Sequence, residues 1–142
     1  MVECVYREAG ETDIPLIVKM NIQLIVDENH SNPICVNDLE IRMGKWLKAD
    51  YRAFVVELNN HIQGYCLFRD DGDYIYIRQL FIAKESRSKG FGKSFVYWLQ
   101  SHIWPKKRTR MEVLVANPNG MAFWRKIGFV DYCLTMEMKI RS

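Results

Sequence analysis

The chain is 142 residues long; 49% of them are hydrophobic and 26% charged, and 20 Lys and Arg against 17 Asp and Glu leave a formal net charge of +3. This length predicts one domain, spanning residues 1–142, with a sizeable core and no room for a second, and the balance excludes a disordered chain. No apolar run approaches the roughly 18 residues of a membrane helix, and scattered Lys and Arg argue against a nucleic-acid partner.

Cys4, Cys35, Cys66 and Cys133 show no Cys-x-x-Cys and no metal-ligand spacing. Free, mostly buried thiols in a reducing cytoplasm are expected rather than a disulfide framework. The opening MVECVYREAGETD carries charges where a secretory leader needs an apolar run, so a cytoplasmic location is expected.

Residues 2–9 alternate, with Val2, Cys4 and Tyr6 against Glu3, Val5 and Arg7, and predict an opening strand that Gly10 ends. Thr12 or Asp13 caps a helix that tolerates Pro15 in its first turn and carries an apolar stripe of Ile17, Met20 and Leu24 to Glu28. Residues 29–33 are a loop by composition. Asn37, with Glu40 three residues on, reads as the capping box of a second helix whose inner face is Leu39, Met43 and Trp46 or Leu47.

Residues 52–58 and 62–69 read as hairpin strands around Asn59-Asn60-His61, and Asp70-Asp71-Gly72-Asp73 turns into a strand over 74–82. Those aspartates could draw a cationic amine or simply face solvent. A third helix runs from Phe91 through Phe95 and Trp98 or Leu99 and stops before Pro105. Residues 111–116 read as a strand, and Asn117-Pro118-Asn119-Gly120 turns into a short helix over 121–127, closed by Gly128. Residues 129–140 alternate as a last strand. The order predicts an α/β fold: a mixed, mostly antiparallel sheet flanked by about four helices.

Within this plan residues 80–92, LFIAKESRSKGFG, stand out. Leu80, Phe81 and Ile82 end a strand. Arg87, Ser88, Lys89, Gly90, Phe91 and Gly92 then form a basic, glycine-spaced turn into the third helix, with Lys93 following. Glycines let a backbone take positive φ or let a ligand approach where a Cβ would block it. The first N–H groups of a helix lack intrahelical partners and sit at the positive end of its dipole. Strand, basic turn and helix start together suit a phosphate or pyrophosphate. The P-loop pattern and the dinucleotide-binding glycine spacing are both absent.

Arg-x-x-Gly-x-Gly after an apolar strand resembles the acetyl-CoA-binding signature of the GNAT N-acetyltransferase superfamily. Residues 117–129, NPNGMAFWRKIGF, resemble that superfamily's later segment, with Asn117, Gly120, Phe123, Trp124, Lys126, Gly128 and Phe129 in its places. The two stretches stand one helix and one strand apart, as in the family. With the element order, the resemblance covers essentially the whole chain. It implies a GNAT-like acyl-CoA N-acyltransferase fold and an acetyl-CoA-dependent N-acetyltransferase, with acetyl-CoA as cosubstrate, no metal, and an amine-bearing acceptor that attacks directly in a ternary complex.

The resemblance also implies roles. Leu80, Phe81 and Ile82 would bond the pantetheine by main chain where the strand splays from its neighbour, and one N–H would hold the developing oxyanion. The N–H groups of Arg87, Ser88, Lys89, Gly90, Phe91, Gly92 and Lys93 would hold the pyrophosphate, with the basic side chains adding charge. Asn117 would bond the cofactor arm, and Phe123 and Trp124 would pack against it.

Two departures mark the catalytic assignments. The family's common base position falls on Tyr76, a phenol that would order a water or line the acceptor pocket; Glu28 and His30 are further candidates for relay or substrate binding. Many members place a proton-donating Tyr where this chain has Trp124, whose indole is not a usable acid. Tyr132 is the first substitute. Few residues follow Phe129, which predicts an open acceptor cleft or one completed by a second subunit, a homodimer. The rival reading is an acetyl-CoA-binding module of the same fold without the chemistry.

Overall fold

The computed structural model describes residues 3–28 and 34–141. They divide into two compact units, Met1–Glu112 and Val113–Ser142.

The first unit contains a five-stranded sheet in the order β1 (Cys4–Glu8), β2 (Tyr51–Leu58), β3 (His61–Asp70), β4 (Tyr74–Ile82), β5 (Arg108–Met111). The first three pairings are antiparallel and β4–β5 is parallel, so the sheet is mixed and mostly antiparallel. Among the described residues three α-helices accompany the sheet: α1 (Ile14–Asp27), α2 (Val36–Lys48) and α3 (Phe91–His102). A two-residue hairpin joins β2 to β3, with Asn59 at φ 52° and Asn60 at φ 70°. Asparagine tolerates this left-handed pair, whose twist matches the flanking strands.

Period-two alternation sends the two sets of strand residues to opposite faces. Ala53, Val55, Tyr65, Leu67 and Phe81 pack with Ile17, Val18, Met20 and Met43 from α1 and α2. On the other face Phe54 meets Phe68 and Trp98, and Phe68 meets Trp104 edge-on.

Two irregularities in β3–β4 matter for the site. A Cβ at Gly64 would stand 2.5 Å from the Phe81 carbonyl oxygen, so this glycine lets the strands close where β4 ends. The register slips between Leu67, opposite Gln79, and Phe68, opposite Ile77, leaving Arg78 as an extra residue in β4. Such a bulge re-aims side chains.

The second unit contains α4 (Pro118–Lys126). Asn117 caps it by accepting the Gly120 N–H at 3.1 Å, and Gly128 ends it at φ +116°. Trp124 packs edge-on against Phe123 and Phe129.

Several expectations need correction. The capping box at Asn37 does not form: α2 begins at Val36 after Cys35, without a side-chain cap, so Asn37 lies inside the first turn. The strand expected over 111–116 is instead β5, three residues earlier in its start, and α4 begins at Pro118, which suits a helix's first turn. Residues 129–141 form no strand. Val130, Leu134, Met136, Met138 and Ile140 alternate as expected yet are exposed, because alternation marks a face and only a neighbouring edge makes a ladder. Of the four thiols only Cys66 is buried; Cys4, Cys35 and Cys133 are free and exposed. His30 and the loop expected over 29–33, like Val2, lie outside the described residues.

Candidate functional site

The parallel ladder ends at Ile77 opposite Met111, while β4 continues to Ile82. Beyond Ile77 the β5 side of β4 therefore has no partner from β5. The Ala83 N–H reaches the Gln63 carbonyl at 2.7 Å, and the register pairs Tyr65 with Phe81 and Cys66 with Leu80. In an antiparallel ladder, residues bonded to the neighbour alternate with residues whose main chain faces away. Phe81 thus turns its N–H and C=O towards β3, while Leu80 and Ile82 present theirs to the open edge.

That edge leads into the basic turn. Ser88 at φ 62° and Gly90 at φ +83° turn the chain sharply, and among the described residues nothing lies within 4 Å of a Cβ built on Gly90. α3 then starts at Phe91 without a side-chain cap. The Ser94 N–H is the first to find a helical acceptor, on the Gly90 carbonyl at 3.0 Å. Phe91, Gly92 and Lys93 hence begin the helix with main-chain donors that it cannot itself satisfy. An open space lined by such donors fits a diphosphate.

Arg87 takes a different direction from Ser88 to Lys93. Its Nε donates to the Ile82 carbonyl at 2.6 Å, Nη2 donates to Asp27 Oδ2 at 2.6 Å, and the guanidinium lies 5.1 Å from the Phe81 ring. Asp27, at the end of α1, also accepts from Gln23 at 3.0 Å. Burial raises the Asp27 carboxyl, but the hydrogen bonds from Arg87 and Gln23 outweigh it and hold it below the usual range. Lys93 sits 5.5 Å from the Tyr97 ring.

Tyr76 donates its hydroxyl to Glu112 Oε1 at 2.9 Å. Burial, and then the Glu112 carboxylate, push the phenol up to about 12. At neutral pH Tyr76 is therefore a hydrogen-bond donor and not a base. Deeper on the same face, the buried Tyr65 hydroxyl donates to Gln79 Oε1 at 2.8 Å, with Asn21 Oδ1 at 3.4 Å. Glu28 closes α1 through its own N–H on the Leu24 carbonyl. The turn aspartates are engaged: Asp70 accepts from the Gly72 N–H at 2.8 Å and from Lys107, and Asp71 accepts from Arg69 at 2.6 Å.

In the second unit the Asn117 Oδ1 is occupied by its capping bond, leaving Nδ2 as the amide's free-standing donor group. Trp124 is buried, with Phe123 beside it. Tyr132 lies on the exposed 129–141 run, 69% accessible.

Sequence reasoning missed Asp27 and Glu112. Each carries an ordinary polar residue at an element's end, and no local pattern separates such a residue from a solvated one. Only the fold sets Asp27 beside Arg87 and Glu112 beside Tyr76.

Residues 21–129 match the family model described as "Acetyltransferase (GNAT) family". No curated protein matches the chain. Among solved structures, a possible acetyltransferase from Clostridium difficile 630 superposes with a TM-score of 0.78 at 18% identity, covering 97% of this chain and 99% of its own. A predicted acetyltransferase with acetyl-CoA from Clostridium acetobutylicum gives 0.76 at 19%, covering 96% of each chain. The aminoglycoside N-acetyltransferase AAC(6')-Iy in complex with CoA gives 0.79 at 12%, covering 100% of this chain and 97% of its own. At these identities the likeness is one of fold.

Proposed function

The chain belongs to the acetyltransferase (GNAT) family, an acetyl-CoA-dependent N-acetyltransferase by that membership, and from this premise we propose that both units act as one catalytic domain transferring the acetyl group to an amine by direct attack. The observation that carries the reading is the edge of β4 beyond Ile77, which β5 leaves uncovered and where only the Ile82 carbonyl is held, by Arg87 Nε, among the described residues; it is continuous with the turn into α3.

Acetyl-CoA supplies the activated acyl group as a thioester. The Leu80 and Ile82 main chains bond its pantetheine arm, and an N–H on that edge points at the thioester carbonyl, where a pre-aimed donor is commonly worth about 3–4 kcal/mol. Phe81 does not take the main-chain role expected of it, since its main chain serves β3 and its ring is buried in the core with α1 and α2. The N–H groups of Ser88 to Lys93 hold the diphosphate, with Lys89 and Lys93 adding charge, and Arg87 joins them by exchanging Asp27 for phosphate. Asn117 donates through Nδ2 to the cofactor arm, and Phe123 and Trp124 pack beside it.

A primary amine must lose its proton before attack, which costs about 4 kcal/mol at pH 7 for an ordinary pKa near 10. Tyr76 cannot take that proton. It orders the acceptor, or a water beside it, while Glu112 fixes its hydroxyl. Tyr132 is the candidate donor to the departing thiolate in place of the Tyr that Trp124 replaces. Trp124 is also what supports the second reading, a module that binds acetyl-CoA without turnover.

Calorimetry with coenzyme A, paired with thiol release over a panel of amines, tests the assignment. Binding with turnover on at least one amine is expected. Binding without turnover on any supports the module instead, and no binding at millimolar coenzyme A removes both.

A further inference from the structure

On the face of the sheet that packs α1 and α2, three arginines and three aromatic rings form a continuous stack. The Arg42 guanidinium lies 4.5 Å from the Trp46 ring centre and that of Arg78 lies 4.6 Å from the same ring. Arg78 then reaches the Tyr51 hydroxyl at 3.4 Å, and Arg69 donates to that hydroxyl at 2.8 Å while lying 4.8 Å from the Tyr76 ring. Aromatic faces hold guanidinium planes in place without neutralising them.

The stack is short of negative charge. Asp71 neutralises Arg69. Among the described residues Arg42 and Arg78 form no ion pair within 4 Å, and the buried Arg42 Nε has no hydrogen-bond partner at all. Burial and then the Arg78 charge both push the Arg42 guanidinium down from its ordinary value, as expected for two cations sharing one indole. A buried donor without an acceptor is costly and marks a place where a partner is missing. Beside it opens a groove of about 290 Å³, lined by Asp38, Ile41, Arg42, Lys45 and Trp46.

Position gives this cluster its meaning. Arg78 is the bulged residue of β4, midway between Tyr76 and Leu80. At about 3.3 Å per residue its Cα stands roughly 7 Å from that of Leu80, so Arg78 lies on the same strand as the open edge and two residues from it.

We propose that Arg42 and Arg78, displayed on Trp46, bind an anionic group of the acceptor, a carboxylate or a phosphate, so that the amine substrate is an acid-bearing small molecule and not a polycation. This rests on the N-acetyltransferase reading above and narrows its substrate class. Guanidinium forks match carboxylate and phosphate oxygens two at a time, which a lysine would not do.

The test titrates protein saturated with coenzyme A, so that the diphosphate site is filled, against two matched pairs: β-alanine with β-alaninamide, and phosphorylethanolamine with ethanolamine. Spermidine is the polycation control. The acid of at least one pair is expected to bind about tenfold or more tightly than its partner lacking the anionic group, the size of one charge-assisted hydrogen bond. Which pair discriminates tells carboxylate from phosphate. The ratio is expected to fall towards one in Arg78→Gln, whose exposed side chain can be changed without opening the core; Arg42→Lys keeps a charge but not the fork and is expected to lose most of it. Equal binding within both pairs, an unchanged ratio in Arg78→Gln, or tighter binding of spermidine overturns the proposal. Failure of the parent reading looks different: acids are discriminated, yet no amine releases thiol.

Discussion

Asp27 Oδ2 stands 2.6 Å from Arg87 Nη2, although 60 residues separate them in sequence. The contact ties the end of α1 to the first residue of the basic turn. Both side chains are about one-third exposed, at 31% and 37%, so the pair is worth only about 0–1 kcal/mol. A diphosphate can thus displace the carboxylate at little cost.

Replacing Asp27 with Asn is expected to tighten coenzyme A binding up to about fivefold, since 1.4 kcal/mol is tenfold, and to lower stability by less than about 1 kcal/mol. Arg87→Gln is expected to weaken binding. Calorimetry on both variants measures this. Unchanged or weaker affinity in Asp27→Asn would mean that Arg87 does not move onto the ligand.

Arg7 is the centre of a second charged cluster, with Nη1 and Nη2 both 2.9 Å from Asp13 and Nε 2.9 Å from Glu57. Asp13 also accepts the Gly10 N–H at 2.9 Å, which fixes the turn into α1. The Arg7 hydrogen bonds hold the Asp13 carboxyl below its usual range, against the burial that raises it. Its folded value is lower than its unfolded one, so its stabilisation is complete above about pH 4 and is lost as pH falls through the folded value. The urea midpoint is expected to be level from pH 5 to 8 as far as this group is concerned and to drop below about pH 4. Asp13→Asn is expected to cost about 1–2 kcal/mol at pH 7, discounted for the exposed Arg7, and to flatten the acid limb. A variant with the wild-type acid limb would show that other carboxylates set it.

Tyr76 remains protonated throughout the working range because burial and Glu112 push it up to about 12. Tyr76→Phe is therefore expected to lower kcat/KM about tenfold, through loss of one hydrogen bond to the acceptor or its water, without moving any inflection of the pH–rate profile. Glu112→Gln is expected to give a smaller loss of the same kind. Disappearance of a basic or acidic limb in Tyr76→Phe would contradict this reading and return the proton to the phenol.

What the sequence made legible follows the range of the forces involved. The turn at Asn59 and Asn60, the strand Tyr74–Ile82 and the start of α3 at Phe91 are written in local backbone preference; the structure has the strand and the helix start where pattern reading put them, and shortens the expected Asn59-Asn60-His61 turn by placing His61 in β3. The Asn37 capping box was equally plausible locally, but the chain enters α2 two residues earlier and leaves it unformed. Residues 129–140 show the opposite limit: alternation predicted a strand, and pairing, which the pattern does not contain, decided otherwise. The same holds for the site. Glycine spacing announced the turn, whereas the contacts Asp27–Arg87, Tyr76–Glu112 and Trp46–Arg78 join residues distant in sequence and have no local signature.

Gly64 and Gly90 offer a contrast that separates damage to the strand from damage to the ligand turn. At Gly64 an added Cβ meets the Phe81 carbonyl oxygen at 2.5 Å and Ile82 Cδ1 at 2.8 Å. A backbone atom cannot yield easily, so Gly64→Ala is expected to cost about 1–3 kcal/mol and to distort the edge that Leu80 and Ile82 present. At Gly90 the space is empty and the obstacle is φ +83°, which disfavours an L-residue by about 1–2 kcal/mol. Asparagine enters that region more readily than other side chains, so Gly90→Asn is expected to lose less than about 1 kcal/mol of stability. Its side chain nonetheless fills the space assigned to the diphosphate, and coenzyme A affinity is expected to fall tenfold or more. Thermal melts establish that the variant is folded and calorimetry reads the ligand. A folded Gly90→Asn protein that binds coenzyme A like the wild type would place the diphosphate somewhere other than the turn before α3.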